Sequence, residues 1–188
     1  MELLVNGVSM GKQELNHNRG TDFTAHYEVP YTKGEICAIA YDKDGNEVAR
    51  ESKYSFGDAT TLKVKADKTE LMAGTRQLAF VEISVCDEEG HPVENAMNYV
   101  EVRSEGPIRL MGLDNGDSTD YDPYKCNVRK LFNGKLLAIV GADGKDFLQQ
   151  KAMLTVSGRG LTEANNNKLT AKHIKVIFKI IYDKENNI

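Results

Sequence analysis

The sequence predicts an all-β protein built from antiparallel β-sandwiches. Apolar residues recur at every second position, as Val81, Ile83 and Val85 do against Glu82 and Ser84. Such alternation puts one face of a strand on a core and the other face in water. Asn-Gly, Asp-Gly and similar pairs separate these runs at short intervals, and they tolerate the positive φ angles of tight hairpins. Short strands divided by tight turns are typical of immunoglobulin-like β-sandwich domains, and we expect two of them here.

The first predicted domain covers residues 1–57. Its clearest element is a hairpin, with one strand at residues 35–41, a corner at Asp44-Gly45 and a return strand at residues 47–50. We also expect a strand over residues 23–29, with His26 at its surface. A complete sandwich needs roughly 100 residues, so this first domain is either a minimal sheet or truncated, with strands missing from its N-terminal side; we favour truncation.

The second predicted domain covers residues 58–188. Alternating runs begin at residue 62 and continue through residues 81–85 and 100–103. The tail after residue 160 holds a loop and then a further apolar strand over residues 172–182. Because native proteins protect exposed strand edges, we favour a tail that closes its own sheet over one that pairs with a neighbouring chain.

Composition narrows the classes of partner. The chain has 188 residues and a net charge of −4, with acidic and basic residues interspersed along its length. The absence of a basic stripe in the sequence argues against nucleic acid as a partner. No apolar run approaches the ~18 residues that a membrane span requires, so membrane insertion is not expected. Cys37 and Cys86 lie in apolar runs, which favours small buried side chains over disulfides.

The densest polar segment is residues 113–122 (LDNGDSTDYD). Its carboxylates supply the hard oxygen ligands that Ca²⁺ prefers, although the spacing is not that of an EF-hand. Asp and Asn also cap their own turns without any metal, and we favour that interpretation. No other cofactor is expected. The candidate calcium ligands are Asp114, Asp117, Asp120 and Asp122.

Two tyrosines beside this segment are the best candidates for glycan contact. Aromatic rings offer flat apolar surfaces, on which the apolar faces of pyranose rings can stack, and the chain has no Trp. The candidates are Tyr121 and Tyr124. Single exposed aromatics are common on protein surfaces, so a glycan site is the less favoured interpretation.

One serine matches a catalytic motif by sequence alone. Residues 7–11 read Gly-x-Ser-x-Gly around Ser9. The nucleophile elbow requires a buried strand before the serine and a helix after it. Here the turn at Asn6-Gly7 precedes Ser9 and polar residues follow it, so we interpret the match as chance and assign no catalytic residue.

Several segments, in order, carry a resemblance to a known family. They are residues 2–12 (ELLVNGVSMGK), 29–41 (VPYTKGEICAIAY), 67–71 (DKTEL), 78–81 (LAFV), 87–93 (DEEGHPV), 112–117 (GLDNGD) and 132–140 (FNGKLLAIV). This series resembles the C-terminal accessory domains of bacterial glycoside hydrolase family 2 enzymes of the β-galactosidase type. The resemblance covers residues 2–160 and weakens after Gly160.

The resemblance implies a non-catalytic role for this chain. In such enzymes two glutamates about 5 Å apart perform the hydrolysis, and they stand on a barrel of about 250 residues that this chain cannot contain. The expected partner is therefore the catalytic barrel of a parent glycoside hydrolase, for which these domains serve as a scaffold. The resemblance is compatible with a periplasmic or secreted parent, but the sequence fixes no location. The alternatives are a carbohydrate-binding module and a surface adhesin domain.

Overall fold

The computed structural model describes residues 1–15, 23–143, 151–161 and 173–181. The chain divides into two compact units, Met1–Ser55 and Phe56–Ile188. Every regular element in the described residues is a β-strand, which confirms the all-β prediction. These residues contain no helix long and apolar enough to cross a membrane.

Unit 1 is a four-stranded antiparallel sheet in the order β2-β1-β3-β4. The two hairpins arise where the turn residues predict them. Asn6 (φ 50°) and Gly7 (φ 80°) close the first one, because only such residues adopt two successive positive φ angles easily. Asp42 closes the second by accepting backbone hydrogen bonds from Asp44 and Asn46. The strands are β1 (Glu2–Val5), β2 (Val8–Lys12), β3 (Glu35–Tyr41) and β4 (Glu47–Tyr54).

One predicted strand of unit 1 is wrong. Residues 24–30 are irregular, although Tyr27 and its alternate neighbours are half-buried. The segment is held by side chains instead of a strand ladder: the Tyr27 hydroxyl donates to the carbonyl of Met1 at 2.9 Å, and the amide of Gln13 hydrogen-bonds both backbone groups of His26. The alternation of apolar and polar residues here thus reflects a segment that packs against the sheet without pairing with one of its strands.

Unit 2 is a sandwich of two sheets. One sheet has the strand order β5-β7-β11-β9 and the other β10-β8-β12-β13-β6. All pairings are antiparallel except that of β13 with β6. The strands are β5 (Thr61–Ala66), β6 (Glu70–Met72), β7 (Leu78–Cys86), β8 (Tyr99–Glu105), β9 (Ile108–Asp114), β10 (Val128–Lys130), β11 (Lys135–Ala142), β12 (Lys151–Gly158) and β13 (His173–Ile181).

The inward faces of the two sheets form one core. Val81, Ile83, Val102 and Leu154 are fully buried, as the alternation predicts for strands with one wet face. Burial of each such side chain contributes roughly 1.5–3 kcal/mol. Cys86 is also buried and unpaired, as is Cys37 in unit 1.

The strand predicted in the tail is confirmed as β13. It lies between β12 and β6, so it closes its own sheet. Phe178 and Ile180 are completely buried in the core, whereas Ile177 points outward and is 66% exposed. The apolar residue that interrupts the alternation is therefore the one that faces solvent.

Turn chemistry also fixes the start of β11. Asn133 (φ 48°) and Gly134 (φ 72°) form a two-residue turn, across which Phe132 and Lys135 exchange backbone hydrogen bonds of 3.0 Å. A Cβ atom on Gly134 would lie 2.3 Å from the carbonyl oxygen of Val93. Glycine is required here both by φ and by this close approach.

Candidate functional site

The acidic loop, residues 115–127, connects β9 to β10 in unit 2. Its backbone is tied to strands β9 and β8. The carbonyl of Tyr124 accepts a 2.8 Å hydrogen bond from the amide of Leu113, and the carbonyl of Asn127 accepts one from Val102. The side chain of Asn115 is largely buried and donates to the carbonyl of Lys130 at 3.1 Å. These bonds fix the conformation of the loop against the neighbouring strands.

A buried arginine anchors the acidic loop. Arg129 on β10 is 0% exposed. Its Nε donates to Asp120 Oδ2 at 3.2 Å, and its Nη1 donates to the carbonyl of Leu113 at 3.1 Å. Its guanidinium carbon lies 4.7 Å from the centre of the Tyr124 ring, a cation–π contact. Nη2 is buried and has no hydrogen-bond partner among the described residues.

Three of the four carboxylates predicted as calcium ligands, those of Asp114, Asp117 and Asp120, accept hydrogen bonds from nearby residues. Asp114 accepts from the amide of Gly116 at 2.9 Å. Asp117 accepts from the Thr119 amide at 2.9 Å and from its hydroxyl at 2.7 Å. These are the local side chain–backbone bonds by which Asp stabilises turns. The loop thus has the hydrogen bonding expected of capped turns.

Two of the four carboxylates face protein cations. Asp120 pairs with Arg129, and Asp117 lies 3.6 Å from the Nζ of Lys130. The Thr119 hydrogen bonds lower the pKa of Asp117, and Lys130 adds to the effect. The backbone amide of Asp122 lowers the pKa of Asp120, assisted by Asn115 and Arg129. Both groups are therefore held in the charged form at neutral pH.

The structure does not gather the four aspartates around one point. Within the described ranges, no group of three or more His, Cys, Asp or Glu side chains is arranged to hold a metal ion. Asp120 and Asp117 have Arg129 and Lys130 as counter-charges, while Asp114 and Asp122 lie at separate turns of the loop. Calcium binding at these residues stays a prediction.

The two tyrosines predicted to contact glycan occupy different settings. Tyr121 is 99% exposed, and Tyr124 is 61% exposed with one part of its ring against Arg129. The loop thus presents one free aromatic ring and one fixed ring. Sequence reasoning missed Arg129; the only signal was its inward position in the alternation of residues 128–130.

Ser9, the serine of the chance motif, lies within strand β2 of unit 1. Its hydroxyl donates to Glu2 Oε1 at 2.6 Å, and the Tyr41 hydroxyl donates to Oε2 at 2.6 Å. These two bonds lower the pKa of Glu2. Because Ser9 lies inside β2 and pairs with Leu4 of β1, it lacks the sharp strand-to-helix turn of a nucleophile elbow.

Comparison with known proteins finds matches for both units. Residues 62–167 match the family model described as glycoside hydrolase family 2 C-terminal domain 5. Residues 1–49 match a domain of unknown function, DUF4982. A curated relative, beta-galactosidase BoGH2A from Bacteroides ovatus, is 30% identical over 164 residues, which is 87% of this chain and 18% of that protein.

Solved structures give the same result. A beta-glycosidase from Bacteroides vulgatus is 28% identical with a TM-score of 0.79, over 95% of this chain and 21% of that one. A glycosyl hydrolase family 2 member from Bacteroides cellulosilyticus is 25% identical with a TM-score of 0.80, over 96% of this chain and 21% of that one. This chain therefore spans about a fifth of the length of these relatives. The family match covers more than half of the chain, in the order that the sequence segments indicated, and so the chain belongs to the C-terminal domains of glycoside hydrolase family 2.

Proposed function

We propose that this chain is the non-catalytic β-sandwich region of a β-galactosidase-like family 2 glycoside hydrolase and acts as a scaffold for its catalytic barrel. The observation that carries the proposal is the match of 95% of this chain to only 21% of a beta-glycosidase. Hydrolysis in such enzymes needs a pair of carboxylic acids on a separate barrel. The role left to this region is to bury surface and to hold its partner in place.

The construction of unit 2 supports a scaffold. One continuous core lies between its two sheets. The acidic loop is held in place by the buried side chain of Arg129. A rigid loop loses little conformational entropy on docking, which favours a lasting contact with a partner domain. Exposed Tyr121 at this loop is the side chain we expect to be buried by that contact.

The reading frame that contains this chain provides the first test. We expect it to encode a barrel of about 250 residues upstream of Met1. A frame without such a barrel would contradict the proposal and favour the adhesin alternative. The isolated chain should give no turnover of a chromogenic β-galactoside, and turnover by the purified chain would refute the non-catalytic assignment.

The full-length enzyme provides the second test. Removal of residues 1–188 should lower the melting temperature of the catalytic domain or its soluble yield, because surface buried against the scaffold becomes exposed. Replacement of Tyr121 by Ser in the full-length enzyme should have the same effect to a smaller degree. Tyr31, 84% exposed in unit 1, serves as the matched control when it is changed to Ser. A truncated enzyme as stable and active as the complete one would rule out the scaffold.

A second candidate function is glycan binding by the acidic loop. It is favoured by the presence of two exposed rings in one loop, those of Tyr121 and Tyr124, of which the second is fixed on Arg129. Titration of the chain with galactosides should then quench tyrosine fluorescence in a saturable manner, and Tyr124→Ala should abolish the effect. A titration without saturable change would remove this candidate and leave the scaffold in place.

A further inference from the structure

The outward face of three neighbouring strands of unit 2 gathers basic side chains. It is formed by alternate residues of β8, β12 and β13 and by Arg159, which follows the end of β12, and we call it the basic face. Its five cations stand against three carboxylates, one of them on neighbouring β6, although the chain as a whole has a net charge of −4. The sequence shows no basic stripe because the cations come from strands far apart in the chain. The cations are Arg103, Lys151, Arg159, Lys175 and Lys179, and the carboxylates are Glu70, Glu101 and Glu105.

One of these carboxylates fixes two arginines. Glu101 Oε1 lies 2.7 Å from Nη2 of Arg103, and Oε2 accepts from Nη2 of Arg159 at 2.8 Å. The Glu101 side chain is only 14% exposed beneath the two arginines, whose own side chains are 68% and 59% exposed. The two guanidiniums are therefore held in place with their remaining N–H groups toward solvent. Because their positions are set in advance, little side-chain entropy is lost when they bind an anion.

Hydroxyl groups lie between the cations. The strand register places Thr155 between Arg103 and Lys175, so that the two cations are roughly 10 Å apart across two strand spacings. The next row places Ser157 beside His173, with Ser157 Oγ 2.9 Å from Nδ1 of the histidine. The face thus places hydroxyl groups beside Arg103 and Lys175, and the row of Glu105, Met153 and Ile177 separates them from Lys151 and Lys179.

We propose that the basic face binds a polysaccharide that carries carboxylate groups, such as a polymer of uronic acids. Arginine forks match carboxylates in geometry and charge, and Lys175 and Lys151 add further positive charge. The hydroxyls of Thr155 and Ser157 pair with ring hydroxyls between successive carboxylates. An open sheet face suits an extended chain better than it suits a compact ligand, which would need a concave site. This site is separate from the acidic loop and does not depend on the scaffold role.

The proposal is tested on the whole chain with polygalacturonate as the acidic probe and an unbranched galactan as the neutral one. We expect the chain to bind polygalacturonate in calorimetry and to be retarded by it in affinity electrophoresis, with no response to galactan. The double substitution Lys151→Glu and Lys175→Glu should weaken binding at least tenfold. An increase in NaCl from about 50 to about 300 mM should weaken it as well, because exposed charges are screened.

Lys65→Glu is the matched control, since Lys65 is an exposed cation on β5 of the opposite sheet. It makes the same kind of charge reversal and should leave binding unchanged. Circular dichroism establishes that each variant is folded. The proposal is overturned if the folded wild-type chain does not bind polygalacturonate, or if the double variant binds it as well as the wild type does. It is also overturned if polyglutamate or duplex DNA binds equally tightly, since the face would then recognise charge without recognising sugar.

Discussion

Replacement of Arg129 by Met is expected to destabilise unit 2 by about 3 kcal/mol. The substitution removes two hydrogen bonds donated by a charged group, to Asp120 and to the carbonyl of Leu113, and such bonds contribute about 1.5–3 kcal/mol each. It also removes the contact with the Tyr124 ring, which is worth about 1 kcal/mol. The apolar stem of Met recovers part of this loss by burial.

Thermal and urea unfolding followed by circular dichroism measures this cost. For a unit of this size, a loss of about 3 kcal/mol lowers the melting temperature by roughly 10 °C. The variant Lys130→Met is the matched control, because Lys130 neighbours Arg129 but is only partly buried. It should cost clearly less than Arg129→Met, because Lys130 loses a single ion pair of 3.6 Å, whereas Arg129 loses two hydrogen bonds of a fully buried group.

A double-mutant cycle identifies the cause. Asp120→Asn should be less harmful in the Arg129→Met background than in the wild type, because an uncharged amide needs no counter-charge. A cost below 1 kcal/mol for Arg129→Met, or additive effects of the two substitutions, would refute the view that this ion pair anchors the acidic loop.

Three further predictions concern the same unit. Millimolar CaCl2 should leave the melting temperature unchanged, because Asp114, Asp117 and Asp120 already accept hydrogen bonds; a rise that a chelator reverses would instead establish the calcium site. The pKa values of Asp117 and Asp120 are lower in the folded state than in the unfolded chain, so their contribution to stability is complete above the ordinary Asp pKa of about 3.9 and is lost as the pH falls below it. Unfolding curves between pH 7 and pH 2.5 should therefore show a decline at the acidic end that Asp117→Asn reduces, and an equal decline in that variant would count against the assignment. Gly134→Ala should cost more stability than Gly116→Ala, because both residues have positive φ but only at position 134 would Cβ meet a backbone oxygen, that of Val93; equal unfolding free energies for the two variants would contradict this reasoning.

The sequence predicts this fold well where the information is local. Alternation and Asn-Gly pairs are properties of a few adjacent residues, and they locate the hairpin of β3 and β4 and the turn before β11. The irregular segment at residues 24–30 shows the limit of this signal. Alternation reports which side chains face a core, but a strand also needs a neighbour with free backbone groups.

The candidate site was predicted less completely than the fold. Its tyrosines and aspartates stand together in the sequence, and their composition alone marks a polar loop. Arg129 could not be assigned, because its burial depends on Leu113 and Asp120, which approach it only after β9 and β10 have packed. The basic face was missed for the same reason, since Arg103 and Lys175 meet through two strand pairings.

The position of β13 also determines when unit 2 can complete its folding. Lys179 pairs with Glu70 across 109 residues, and β13 fills the gap between β12 and β6. During synthesis, the ribosome must release residues 173–181 before this sheet can close and before Phe178 can enter the core. Closure over so long a separation is slow. Until then the bare flank of β12 is a surface that chaperones should recognise in the nascent protein.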